Sequence, residues 1–279
     1  MSQHLIPSGT TIDPARARSW LLVSASAEDR CVHAIRSAAD AVMLDLEDGV
    51  AEADKAGARE SVTALLEHQR AWVRINDAET PHHLRDIDAV RDLPGLVGVA
   101  LAKCESPQQL EETAALLPRS TPIVAFVESA GALESVREIC RARGVFRLAF
   151  GMGDFRRDID ADAHPRAVSY ARSQLVVASR AAGLPSPIDG PTGVGSGEHL
   201  VRDSEIARSI GMSARLCHTP EHAAQVNTLM GPSSASIEEA RRTIAALGHD
   251  GAHVSTGADV SRLALAHRTL SLAAEFSLT

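Results

Sequence analysis

Eight short apolar runs, separated by stretches with helical spacing, constrain this chain more than any other feature. They are Ser19–Ala25 (SWLLVSA), Asp40–Glu47 (DAVMLDLE), Arg70–Asn76 (RAWVRIN), Leu96–Lys103 (LVGVALAK), Pro122–Val127, Val145–Phe150, Ser186–Asp189 (SPID) and Ser213–His218 (SARLCH). Their lengths and bounding turns suit buried strands. Helical segments alternate with them: Glu28–Ala39, Ala51–Gln69, Pro81–Asp92 behind Thr80 as a cap, Ser106-Pro107 onward to Leu117, and a stretch after Glu128. His164–Ala182, His199–Ile210 and a helix from Pro220 continue the series, the first two closed by Gly183 and Gly211. The pattern predicts an α/β chain, a single (β/α)8 TIM barrel within one domain over residues 1–279. An open doubly wound sheet would also alternate, but no GxGxxG follows the first run and no GxxxxGK[ST] occurs. Two more helices, Ser233–Leu247 and Ala258–Phe276, are joined by GHDGAHVSTG. They are expected to form a C-terminal helical extension, about 233–279, that either extends the barrel or reaches a neighbouring subunit.

At 279 residues and 44% hydrophobic, the chain has ample material for one large core. The net charge of -8 comes with no basic run or aromatic-interleaved Arg/Lys patch, which argues against nucleic acid as a partner. Cys31, Cys104, Cys140 and Cys217 are far apart, with no zinc-like spacing, and are expected to be reduced thiols. No apolar stretch is long enough to span a bilayer, and MSQHLIPSGTTIDPARARSW lacks a signal-peptide core. The expectation is a cytoplasmic protein with no membrane partner.

A barrel of this kind builds its chemistry at the carboxyl ends of its strands. Glu128 closes the fifth run; Asp154 follows the sixth through Gly151, Met152 and Gly153. Adjacent parallel strands then set two carboxylates at one rim, which suits a hard divalent cation, Mg2+ above all, since no Cys or His cluster is nearby. The plainer reading is two solvated loop acids. The same rim receives Asp45, Glu47 and Asp48 from strand two, Arg74 from three, Lys103 from four, Asp189 from seven and His218 from eight. An oxygen-rich site with an Arg and a Lys suits a metal-bound anionic substrate, with Arg74 holding a carboxylate. It fits aldol- or Claisen-type carbon–carbon chemistry, where an enolate must be stabilised. Each residue also has a structural reading. Arg74 and Lys103 either meet the substrate or pair with the strand-two acids. Glu47 and Asp48 either ligate, or anchor a helix start one step out from the metal. His218 reads as a packing histidine, Asp189 as a cap of the turn before Gly190, and His82–His83 as a solvated helix face.

The ordered set AVMLDLEDGVAEADKAGAR, WVRIN, LAKCES, VAFVESAGAL and FGMGDF resembles the citrate lyase beta-subunit-like family of the larger HpcH/HpaI aldolase superfamily. ASRAAGLPSPIDGPT, ARSIGMSARLCHTP and QVNTLMGPSSASIEEARR continue it, so that it covers about Ser19 to Leu247. The resemblance implies a TIM barrel in a homotrimer or a dimer of trimers. It implies Mg2+-dependent lyase chemistry on acyl-CoA thioesters such as malyl-, citramalyl- or citryl-type substrates. It assigns Mg2+ to Glu128 and Asp154, the substrate carboxylate or oxygen to Arg74, and proximity to metal-bound water to Glu47 and Asp48. Lys103 follows as a further substrate contact, and Arg30 as a CoA or phosphate contact in the loop after strand one.

The chain departs from that pattern in several places. Ala102 stands where the family usually has Pro, Gly153 where it has Glu, and Ser24 replaces Pro after Val23. Cys217-His218-Thr219-Pro220-Glu221-His222 shifts the motif after strand eight. Many relatives end in a Gly-x-Met-Ile/Val-Asp-x-Pro motif whose Asp enters the neighbouring subunit's site as acid/base. Here Ser261 takes that place and Asp259 lies two residues earlier. Asp259 is the candidate to substitute. Three readings follow: a Mg2+-dependent lyase on a hydroxyacyl-CoA thioester, a metal-dependent aldolase on a free oxoacid, and a divergent barrel that binds metal and a small acid without turnover.

Overall fold

The computed structural model describes residues 12–193 and 197–278. In chain order the elements are β1 (Ser19–Ser24), α1 (Glu28–Ile35), β2 (Ala41–Asp45), α2 (Lys55–Leu66), β3 (Ala71–Ile75), α3 (Pro81–Val90), β4 (Leu96–Leu101) and α4 (Pro107–Leu116). Then come β5 (Ile123–Val127), α5 (Ala130–Glu134), α6 (Val136–Ile139), β6 (Val145–Phe150), α7 (Met152–Asp158), α8 (Ser169–Ala181), β7 (Ile188–Asp189), α9 (Gly197–Ile210), β8 (Ala214–Cys217) and α10 (Pro220–Met230). Two last helices follow, α11 (Ser234–Leu247) and α12 (Gly257–Glu275). The strands pair in sequence order and β8 returns in parallel to β1, closing the (β/α)8 barrel that the alternation predicts.

Local sequence explains many of the element ends. Pro107 sits in the first turn of α4, and the Ser106 hydroxyl accepts from Gln109 N. Ser129 caps α5 in the same way through Ala132 N. Two elements differ from the expectation. GMGDF, given no element of its own in the sequence, opens α7 with Gly151 as its N-cap. His164–Ala182 divides into a 3-10 turn, Pro165–Val168, and α8. A proline there has no N–H to give and suits a first turn.

The barrel is filled, not hollow. Trp20, Met43, Trp72 and Phe126 pack inside it with small residues from β4, β6 and β8. The Trp20 and Trp72 rings meet edge-on at 5.0 Å, and Phe146 stacks on Trp72 at 5.7 Å. At the amino-terminal end Arg147 is fully buried, donating to the carbonyls of Pro14, Ala17 and Ser186 and to the Ser213 hydroxyl. Burial pushes its pKa down to about 9, with the charge of Asp13 opposing.

His82 and His83 are not a solvated face: both are buried. His82 Nε2 lies 2.8 Å from Glu52 Oε1, and His83 Nε2 lies 3.0 Å from the Thr113 hydroxyl. The first turn of α3 is pressed against α4 and the loop after β2, which sequence spacing does not reveal.

The chain divides into two compact units, one ending at Val226 and one of Asn227–Thr279, so the division falls within α10. In the second, α11 and α12 pack on each other. Among the described residues, no helix is long and apolar enough to cross a membrane.

Candidate active site

The site is built from the ends of β2 to β6. Asp45, the last residue of β2, is the register partner of Arg74 on β3. Its carboxylate takes Arg74 Nε and Nη2, each at 2.7 Å, and the backbone N–H groups of Glu47 (2.9 Å) and Gly49 (3.0 Å). This bidentate pair is buried, so the guanidinium plane is fixed. Phe126 lies beneath it, with the guanidinium carbon 5.4 Å from the ring centroid. Arg74 Nη1 is 3.1 Å from Glu47 Oε2. Burial alone would lower the Arg74 pKa; bonds and charge from Asp45, then Glu47 and Glu128, hold it above its ordinary value.

Lys103, just past β4, has φ of +47°, a left-handed conformation uncommon for a residue with a side chain. The turn lets one residue serve two directions. Its backbone N–H donates to Glu128 Oε1 at 2.6 Å, while Nζ reaches Glu47 Oε1 at 2.5 Å and Asp48 Oδ1 at 3.2 Å. Burial pulls the Lys103 pKa down, but those two carboxylates push it well above normal. Burial raises the pKa of Glu47, with Arg74 opposing. Burial would also raise Asp48, yet bonds with Glu47 and Lys103 bring it below normal. Of the two neighbouring acids, Glu47 is thus the one that holds a proton more readily.

Glu128 follows β5, whose end pairs with that of β6 through Val127 and Phe150. It is buried at 4% exposure, and burial pushes its pKa up to about 8, helped by the charges of Glu47 and Asp154. Asp154 lies in the first turn of α7 and forms an ion pair with Arg157 one turn on. Gly151 makes the approach possible: a β-carbon there would lie 2.2 Å from Glu128 Oε2. A β-carbon at Gly153 would meet nothing within 4 Å.

These residues fit a Mg2+ ion. Glu128 is a buried carboxylate whose pKa is raised chiefly by burial, and the charge of Asp154 adds to that effect. Among the described residues no group of three or more His, Cys, Asp or Glu side chains gathers at ligating distance. Mg2+ is commonly held by one or two carboxylates, completing its octahedron with waters and substrate oxygens, so two suffice.

A cavity of about 340 Å³ is lined by Leu21 and Val23 of β1, Arg30 and His33 of α1, and His218 and Glu221 where β8 leads into α10, among others. Burial, then the charge of Arg74, lowers the His218 pKa. Asp189 does more than cap a turn. It is buried between Arg172 (2.8 and 2.9 Å) and Arg215 (2.7 Å) under the loop after β7. Asp259 is the third residue of α12 and forms a capping box with Thr256. Its Oδ2 takes bonds from the N–H and hydroxyl of Thr256 (3.0 and 2.8 Å) and of Ser255 (3.3 and 3.1 Å). These bonds hold its pKa below the ordinary carboxylate value.

Three residues escaped sequence reasoning. Lys55, Asn76 and Asp86 form a buried chain behind the loop that carries Glu47 and Asp48. In the sequence Lys55 is one polar residue of the helical stretch Ala51–Gln69, and only the fold turns it inward.

Fold and site together define a barrel with a carboxylate-rich, arginine-bearing rim, an arrangement suited to acids bound through a divalent metal. The chain belongs to the HpcH/HpaI aldolase/citrate lyase family, a family of enzymes whose model matches residues 18–220. It is 32% identical over 243 residues to a citrate lyase subunit beta-like protein of Deinococcus radiodurans, covering 82% of this chain and 84% of that one. It is 29% identical to a (3S)-malyl-CoA thioesterase of Cereibacter sphaeroides, covering 82% of each. A solved structure of protein CitE from Mycobacterium tuberculosis, in complex with magnesium, acetoacetate and coenzyme A, superposes with a TM-score of 0.80. It is 27% identical, covering 93% of this chain and 99% of that one.

Proposed function

We propose that this protein is a Mg2+-dependent carbon–carbon lyase acting on a hydroxyacyl-CoA thioester of malyl, citramalyl or citryl type. The observation that carries the reading is the Glu128–Asp154 pair at neighbouring strand ends, beside a fixed Arg74. The relative solved with magnesium, acetoacetate and coenzyme A supports the same ligand classes.

Glu128 and Asp154 hold the metal, which when bound supplies Lewis-acid polarisation of a substrate oxygen. Arg74 binds and orients the substrate carboxylate from its fixed plane. In the cleavage direction the hydroxyl proton leaves to a base, and the bond between the hydroxyl-bearing carbon and the thioester α-carbon breaks. The products are an oxoacid and a thioester enolate, which takes a proton at the α-carbon. Glu47 and Asp48 are the acids at hand for proton transfer, with Lys103 balancing their charge. Arg30 and the cavity beside it receive the CoA moiety. We place the protein in the cytoplasm as a homotrimer or hexamer, with no nucleic-acid or membrane partner; light scattering on the eluted protein tests the assembly.

Glu128→Ala tests the metal assignment: lyase activity and Mg2+ affinity should both be lost, and survival of both would refute it. Calorimetric titration with CoA separates this reading from an aldolase on a free oxoacid, which would bind no CoA. A second reading, thioester hydrolysis, is favoured by two observations: the malyl-CoA thioesterase relative, and the commitment of Asp259 to a helix cap. Product analysis on a panel of hydroxyacyl-CoA esters decides it. Cleavage gives an oxoacid and a shorter acyl-CoA, and hydrolysis gives free CoA and the intact hydroxy acid.

A further inference from the structure

Lys55 is the first residue of α2 yet is only 8% exposed. A cation at a helix N-terminus opposes the helix dipole, and burying an ammonium costs solvation. The solvation cost would vanish if the side chain turned outward. Instead Nζ donates to three uncharged oxygens: Leu46 O at 2.9 Å, Glu47 O at 3.1 Å and Asn76 Oδ1 at 2.8 Å. Asn76 is itself oriented by Asp86, which takes its backbone N–H at 2.9 Å and its amide at 2.6 Å. Arg59 holds the other Asp86 oxygen at 3.1 Å.

The result is a clamp on one peptide unit. The Leu46 carbonyl accepts from Lys55 and, at 2.8 Å, from Asn76 Nδ2. The N–H at the other end of that unit, on Glu47, donates to Asp45 Oδ1. With both ends pinned, the direction in which Glu47 leaves the backbone is set. That direction brings Glu47 to Lys103 and Arg74, and Lys103 in turn gives its N–H to Glu128.

We infer that Lys55 is a positioning residue for the metal-binding rim, acting through the Leu46–Glu47 peptide to aim the Glu47 carboxylate. The inference rests on the reading of Glu128 and Asp154 as the Mg2+ site. Its test therefore uses Mg2+ binding to the full-length protein, measured by calorimetry, in addition to turnover. Lys55→Met keeps length and shape but removes the donors. It should weaken Mg2+ binding about tenfold and lower kcat by a similar factor, with KM within about twofold, the pattern of misplaced chemistry rather than lost substrate binding. In a Glu47→Gln background Lys55→Met should add less than about twofold, because a residue that acts through Glu47 has nothing left to aim. An equal loss with and without Glu47 would overturn the inference, as would a folded Lys55→Met protein with unchanged Mg2+ affinity and kcat. Circular dichroism checks folding; should Lys55→Met fail to fold, Lys55→Gln carries the same comparison. A chain that binds Mg2+ but cleaves no hydroxyacyl-CoA ester would refute the proposed reaction and leave the calorimetric comparison standing. A chain that binds no Mg2+ would sink both.

Discussion

Gly151 and Glu128 share a space that admits no further atom: a β-carbon on Gly151 would lie 2.2 Å from Glu128 Oε2 and 2.4 Å from its Cβ. Both contacts are far inside van der Waals distance, and Glu128 is buried, so the carboxylate must turn away from the rim. Gly151→Ala is expected to weaken Mg2+ binding at least tenfold, about 1.4 kcal/mol, by calorimetry. Gly153→Ala, two residues on, places its methyl in open space and should leave affinity unchanged. Equal effects of the two variants would contradict the geometry.

Glu128 titrates at about 8, raised mainly by burial. The unfolded chain releases that proton near its ordinary 4.5, so between about 4.5 and 8 the folded state binds more protons than the unfolded one. Stability of the metal-free protein should fall with rising pH across that window and level off above it. Glu128→Gln should remove this component, which denaturant melts at several pH values would show. Because Mg2+ must displace the same proton, its affinity should rise as pH climbs towards 8, with proton release detectable in buffers of differing ionisation enthalpy.

The Arg157 guanidinium pairs with Asp154 while remaining 74% exposed. Exposed pairs of this kind contribute little, yet this one draws on the same carboxylate that would ligate the metal. Arg157→Ala is expected to tighten Mg2+ binding roughly two- to fivefold at low salt, an advantage that high salt should erase. Unchanged affinity at low salt would show that the pair does not compete with the metal.

What could be read in advance follows the range of the physics. Strand and helix alternation is local, so all eight strands lie where the apolar runs place them, with Glu128 just past β5 and Asp154 in the helix turn that follows its neighbour β6. The partner of Arg74 was open, because a register of parallel strands decides it, and that register sets Asp45 opposite. Lys55, His82 and His83 were illegible for the converse reason: each sits at a helix start, where polar residues usually face water. Their burial depends on loops and helices distant in sequence that supply Asn76, Glu52 and Thr113. Helix α7 is short and opens with glycine on either side of Met152, a composition that signals a turn.

Asp189 neutralises two guanidiniums that have almost no access to water, those of Arg172 and Arg215, at 2% and 0% exposure. Asp189→Asn keeps the shape but turns an amide towards them. Leaving buried charge uncompensated costs about 3–5 kcal/mol. The denaturation midpoint should drop accordingly, while Arg172→Met together with Arg215→Met in the same background should recover part of the loss. A variant as stable as the parent would mean that the cluster is hydrated.

Asp259 lies two residues before the position to which the family resemblance assigns an acid/base, and its carboxylate is occupied. One oxygen takes the N–H and hydroxyl of both Ser255 and Thr256, and the other lies 3.6 Å from Arg262. These bonds favour the charged form and leave its pKa below normal, which suits a cap and makes it a weak proton acceptor near neutral pH. Asp259→Asn should therefore loosen the first turn of α12, seen as faster amide exchange at Asp259 and Val260. The pH dependence of kcat should keep the parent's inflections. If instead the inflection on the acidic limb of the profile is lost while α12 stays protected, Asp259 transfers a proton in turnover and its capping bonds open to let it do so.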